Sequence, residues 1–166
     1  MRLWHVDLIP YLPKKQLLAQ WRECVLISKN LAERGTPNHV LVNKILDYSS
    51  DEIEIYGNKI IREMTNRYYN VSFESYHKFL HNLGEWRRRR RHDLNGQLPK
   101  YASGTENASN KLFGHWHNDK YMIQCFENLR EKYDCGAISN DEFEKVRQFV
   151  IEYFKDKSVV ALLEEL

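Results

Sequence analysis

Pro13-Lys14-Lys15-Gln16-Leu17-Leu18-Ala19-Gln20-Trp21-Arg22-Glu23-Cys24-Val25 is the stretch on which the fold turns. Leu17, Leu18, Trp21, Cys24 and Val25 recur at spacings of three and four, so on a helix they form one apolar stripe. Pro13 suits a first helical turn, where its missing N–H costs nothing, and the pattern predicts a helix from there through Asn30. Gly35-Thr36-Pro37-Asn38 closes it with turn chemistry. The polar side is ordered too. Gln16, Gln20 and Glu23 share a second stripe, and Lys15 and Arg22 share an adjacent one. A carboxylate flanked by amides and cations thus lies beside the buried face. A phosphate backbone would meet cations there, and a reaction centre would meet an acid or base. On spacing alone, a solvated helix face is the commoner explanation.

Outward from that helix the signal stays helical. Residues 1–12 read as extended or turn-like, because Pro10 and Pro13 disfavour helix in the residues before them. Val40, Leu41, Ile45 and Leu46 predict a second helical stretch over 38–47. A third spans 51–68, with Ser49, Ser50 and Asp51 as cap candidates and Ile53, Tyr56, Ile60 and Met64 inward. Ser72 would cap a shorter helix ending near 83, with Phe73, Tyr76, Phe79, Leu80 and Leu83 apolar. Two more helices are predicted. One covers 117–134, with Met122, Phe126 and Leu129 inward. The other covers 140–156, capped by Ser139 or Asn140, with Phe143, Val146, Phe149, Val150 and Phe154 inward and the tail to 163 as an extension. No strand-period run and no repeat interrupts this series. The expectation is an all-α single domain, residues 1–166, of five to six helices with irregular connections. Residues 93–110, rich in Gly, Asn and Ser, read as a surface loop.

The totals agree. A chain of 166 residues suits one core. Its formal net charge of +2 means that any polyanion-binding surface must come from uneven placement of cations. Cys24, Cys125 and Cys135 leave at least one thiol unpaired and form no C-x-x-C pair, which fits a reducing cytoplasm. The polar start, Met1-Arg2-Leu3-Trp4-His5, is no signal peptide, and no apolar run reaches membrane length.

The segment from Met1 to Glu23 resembles the pyrimidine dimer DNA glycosylase family, the phage-type endonuclease V enzymes and their short bacterial relatives. Gln16-Leu17-Leu18-Ala19-Gln20-Trp21-Arg22-Glu23 carries most of the likeness: a helix with an aromatic residue followed by Arg-Glu, at a fixed distance from the chain start. The region around His39-Val40 and the segment Asn128-Leu129-Arg130-Glu131-Lys132 match more weakly. The likeness is useful over residues 1–70. It implies an all-α enzyme on double-stranded DNA that uses no metal and no organic cofactor. In that family the backbone amine at the chain start attacks the sugar C1′, expels the base and leaves an imine. An α-amine titrates near 7.7–8.0, so a useful fraction is neutral at physiological pH. By position, Met1 would supply the amine and Glu23 the carboxylate. Arg22 would grip a phosphate, with Arg2 and Lys15 as further DNA contacts. His5, Gln16, Gln20 and His39 would be neighbours of the site. Arg2 at the second position implies that Met1 stays, because its removal normally requires a small residue there. Gln16 stands where the phage enzymes have a His, and Leu26 where they have an Arg.

Trp86-Arg87-Arg88-Arg89-Arg90-Arg91-His92 is the most basic stretch. Read as function, it is an arm on phosphates with Trp86 free to stack on a base. Read blandly, it is a solvated helix end with acidic neighbours. His115-Trp116-His117 has no metal-ligand spacing and reads as a junction into the helix that Asn118 or Asp119 caps. Cys24 falls on the apolar side and reads as a core thiol. Two functions other than an enzyme fit the same residues. One is a silent DNA-binding protein on this scaffold, and the other is a module whose Arg run meets an acidic protein.

Overall fold

The computed structural model describes residues 1–93, 100 and 112–155, without the side chains of Arg91, His92 and Asp93. Among them the chain is helical and forms no β-sheet, as its sequence predicts. The five α-helices are α1 (Lys14–Arg34), α2 (Ser50–Asn66), α3 (Phe73–Asp93), α4 (Asp119–Asp134) and α5 (Asn140–Phe154), and two 3-10 helices cover Val6–Tyr11 and Asn43–Asp47. One apolar cluster runs through all of them. No helix among the described residues is long and apolar enough to cross a membrane.

α1 is the central element. Leu17, Trp21, Cys24, Ile27 and Leu31 are buried along one side, as the three-and-four spacing requires. Gly35 ends the helix in the left-handed conformation at φ 73°, and its N–H closes on the Leu31 carbonyl. α3 lies beside α1 and parallel to it. Trp21 meets Ser75 and Phe79, Asn82 donates to Ser28 Oγ, and Arg89 passes Gly35. α2 runs antiparallel to α3, with Gly57 against Phe79 and Asp51 and Glu54 on Arg87. α4 and α5 form an antiparallel hairpin. Phe143 packs on Phe126 and Tyr133 at the turn end, and Tyr153 donates to Asp119 at the other. Ser139 and Glu142 close a capping box at the start of α5, and Asn118 caps α4 by accepting from the Tyr121 N–H.

Three expectations change. The region 38–47 is not an α-helix. Residues 39–42 turn, and only Val42 and Ile45 of the first positions bury their side chains, a spacing of three that a 3-10 segment satisfies. The Asn43 side chain also accepts the His39 N–H at 3.2 Å, which holds the turn. Val40 and Leu41 consequently point outward. The helix expected to end near 83 runs on through the arginines to Asp93, because Leu83 and Trp86 continue the buried side of α3. Its first residue, Phe73, is exposed instead of packed. Within 1–12, residues 6–11 coil into a 3-10 helix. Arg67 staples its end by donating to the Pro10 and Leu12 carbonyls at 2.7 and 2.6 Å. Most of the expected loop 93–110 and all of the tail from 156 lie outside the described residues.

Candidate active site

Five residues at the chain start have no helix or sheet to satisfy their backbone, yet Leu3, Trp4 and His5 are buried. Buried peptide groups need partners, and here side chains provide them. From α1, Glu23 Oε2 accepts the Arg2 N–H at 3.0 Å, and Gln20 Oε1 accepts the Trp4 N–H at 3.0 Å. From α2, the Tyr56 hydroxyl donates to the Trp4 carbonyl at 2.8 Å. From α4, the Tyr121 hydroxyl donates to the Leu3 carbonyl at 2.6 Å. His117, just before α4, accepts the Val6 N–H on Nδ1 at 3.0 Å. The start of the chain, residues 1–5, is thus an unpaired strand outside any sheet, threaded between α1, α2 and α4 and delivered to Glu23.

Protonation states follow from these contacts. His5 Nδ1 accepts the Asp7 N–H, so Nε2 carries the proton and donates to the His117 carbonyl at 2.9 Å. His117, an acceptor at Nδ1, is held neutral. Burial pushes its pKa well below the ordinary value, and His5 and Lys44 push it further down. Burial raises the Tyr56 and Tyr121 phenols, so both remain donors. Burial also raises the Cys24 thiol, with the Glu23 charge adding to the effect. Cys24 is therefore a packed thiol and no nucleophile, as its place on the apolar stripe implies.

Glu23 itself is half-buried and Arg22 is exposed beside it. The Arg2 guanidinium lies 5.5 Å from the centroid of the Trp4 ring and donates to the Gln124 carbonyl at 3.3 Å. Met1 is half-buried against the core. Its amine is one residue from the Arg2 nitrogen, hence within about 3.6 Å of it and about 7 Å of the Glu23 carboxylate. The nitrogen bonded to Glu23 is that of Arg2.

The other expected residues divide. Lys15 is exposed on α1, and Gln16 is half-buried with an Oε1 that has no partner among the described residues. Gln20 belongs to the site as a buried clamp. His5 ends the amino-terminal segment and is buried, with its ring against His117 and Tyr153. His39 is half-buried in the 39–42 turn and takes no part in the strand's hydrogen bonds.

The basic run is the main correction. Trp86 is buried, so its ring cannot stack on a base. Arg87 binds Ser50, Asp51 and Glu54 of α2. Arg90 donates to the Tyr48 and Leu46 carbonyls at 2.6 and 2.5 Å and covers the Trp86 ring. A period of 3.6 residues puts 83, 86, 87 and 90 on the inward side, so those two arginines hold the fold together. Arg88 is exposed and paired with Glu85. Arg89 is exposed with no ion pair among the described residues. The side chain of Arg91 lies outside the described residues.

Tyr56, His117 and Tyr121 escape sequence reasoning. Each joins the strand from 52 to 118 residues away in sequence, with the same hydroxyl or ring that any core Tyr or His carries.

Fold and site define a small helical protein built around an amino-terminal strand whose first peptide nitrogen meets a helix-borne carboxylate. Residues 1–77 match the family model described as pyrimidine dimer DNA glycosylase. The match takes in the strand, α1, Arg22 and Glu23, and stops short of the Arg run, α4 and α5. No curated protein and no solved structure matches the chain.

Proposed function

We propose that the protein is a DNA glycosylase acting on damaged or modified pyrimidines in duplex DNA, with abasic-site lyase activity, through its chain-start amine and Glu23. The observation that carries this reading is the 3.0 Å contact between the Arg2 nitrogen and the Glu23 carboxylate, inside the segment that matches the family. A neutral amine attacks C1′ and the glycosidic bond breaks, with the base leaving as its electron pair is protonated. The sugar ring then opens as the C1′–O4′ bond breaks and O4′ takes up the proton that the attacking nitrogen gives up, leaving a cationic iminium that a half-buried carboxylate nearby stabilises. Glu23 then takes the C2′ proton, the bond to the 3′ phosphate breaks, and water releases the sugar from the amine. Arg22, exposed one residue away, would hold a phosphate next to the lesion. Reaching the sugar requires the nucleotide to leave the stack. The free cysteines fit a reducing cytoplasm as the place of action.

Two nitrogens compete for the role of nucleophile. With Met1 in place, the Arg2 nitrogen is an inert amide, and the Met1 amine, within about 7 Å of the carboxylate, must serve. With Met1 removed, the Arg2 amine already sits on the carboxylate. A protein that keeps Met1 and cannot bring its amine in would bind DNA without cleaving it, which is the second reading.

The test is borohydride trapping on abasic-site and ultraviolet-irradiated duplexes, with mass spectrometry of the intact protein and of the trapped peptide. The expected result is a covalent adduct on the first residue that blocking of the N-terminus abolishes. Salt-sensitive binding with no adduct leaves the silent DNA-binding protein, and no salt-sensitive binding removes DNA as the partner.

A further inference from the structure

The strand that presents the amine is held by α1, α2 and α4, with the Tyr56 hydroxyl of α2 donating to the Trp4 carbonyl. α1 contributes Glu23 and Gln20. α4, which lies outside the family-matched residues, contributes the Tyr121 hydroxyl on the Leu3 carbonyl and the Gln124 carbonyl under the Arg2 guanidinium. Glu23 is a variable anchor if it also acts on the sugar, because a carboxylate that receives a proton or turns to a cation accepts the Arg2 N–H less strongly. Of the remaining holds on the backbone, the Tyr121 hydroxyl on the Leu3 carbonyl lies nearest to Arg2.

We propose that Tyr121 is a positioning residue for the chain-start amine, pinning the strand through Leu3 while Glu23 is engaged with substrate; this rests on the glycosylase reading. Its mount is rigid. The Tyr121 N–H is fixed by the Asn118 cap at 3.1 Å, and the ring packs against Trp116 and His117. The 2.6 Å bond reaches the residue just after the one whose nitrogen meets Glu23. Attack on C1′ depends steeply on where that nitrogen sits. A displacement near 1 Å can cost about 100-fold in rate without weakening binding elsewhere.

Tyr121→Phe keeps the ring and removes the hydroxyl. Tyr153→Phe, which removes a hydroxyl bonded to the Asp119 side chain, outside residues 1–5, at the same open end of the hairpin, is the control. Single-turnover borohydride trapping at saturating abasic duplex, the duplex Kd and the melting temperature are measured for both. Positioning predicts a trapping rate about 10- to 100-fold below wild type in Tyr121→Phe, with Kd unchanged. Tyr153→Phe should trap at the wild-type rate at a comparable melting temperature. Trapping by Tyr121→Phe at the wild-type rate, or equal loss in both variants, overturns the role while leaving the glycosylase. Absence of any wild-type adduct overturns the glycosylase reading and this one with it.

Discussion

At the residue scale, the contrast between Glu23 and its neighbour Cys24 shows how one helical step separates chemistry from packing. The two side chains diverge by about 100° on α1. One reaches the chain start and the other is sealed in the core with its thiol pKa raised. Glu23→Gln isolates the charge, because a glutamine oxygen can still accept the Arg2 N–H. The variant is expected to melt close to wild type and to bind duplex equally well. Strand cleavage should fall about 100-fold or more, the size of effect seen when an electrostatic stabiliser or proton acceptor is removed. Cleavage at the wild-type rate removes Glu23 from the mechanism. A different residue tests the packing. A Cβ placed on Gly57 would lie 2.5 Å from Phe79 Cζ, so Gly57→Ala forces the buried ring between α2 and α3 to shift. Overpacking of that kind costs about 1–3 kcal/mol, to be read as a lowered urea midpoint with an unchanged m-value.

At the element scale, α3 decides how the basic run is to be understood. Its arginines alternate between inward and outward sides, so substitutions along it should separate into two phenotypes. Arg90→Ala leaves the Tyr48 and Leu46 carbonyls without their donor. Bonds from a charged donor are worth about 1.5–3 kcal/mol, so thermal unfolding should detect a loss of that order. Arg89→Ala should leave the melting temperature in place. If Arg89 meets a phosphate, the variant should instead lower the slope of log affinity against log salt by about 0.9. The same helix marks the limit of what its sequence discloses. The periodicity in α1, α2, α4 and α5 reads directly, because each buries a stripe that repeats at three and four residues. In α3 the stripe continues through Leu83 and Trp86 into Arg87 and Arg90, and charged residues conceal it. Their partners, Asp51, Glu54 and two backbone carbonyls, lie 33 to 44 residues away. The 39–47 segment fails for the converse reason. Its apolar residues suggest a helix, and two of them, Val40 and Leu41, face solvent. At the site, the Arg22-Glu23 pair and its distance from Met1 are visible in the sequence. The clamp of Tyr56, His117 and Tyr121 is a property of tertiary contact alone.

At the scale of the whole molecule, the amino-terminal strand ties the two helical groups together, and His117 makes that tie depend on pH. His117 accepts the Val6 N–H at Nδ1, which only the unprotonated nitrogen can do. Its folded pKa lies well below 6.5, first through burial and then through repulsion from His5 and Lys44. The unfolded chain therefore takes up a proton near pH 6.5 that the folded chain refuses. Where the unfolded state binds more protons, stability falls as pH falls. The contribution is fully present above about pH 6.5 and is lost progressively as pH drops toward the folded value. Melting temperature should accordingly hold level from pH 8 to 7 and decline below about 6.5. His117→Asn retains an acceptor for Val6 without a titrating ring. Its melting temperature should be lower than wild type throughout, because a large buried ring is lost, and its decline between about pH 6.5 and 5 should be shallower. A decline as steep in His117→Asn as in wild type would place the acid sensitivity in some other group. Because the strand that His117 holds is also the strand that meets Glu23, wild-type trapping of abasic DNA should weaken more steeply over the same acid range than trapping by His117→Asn.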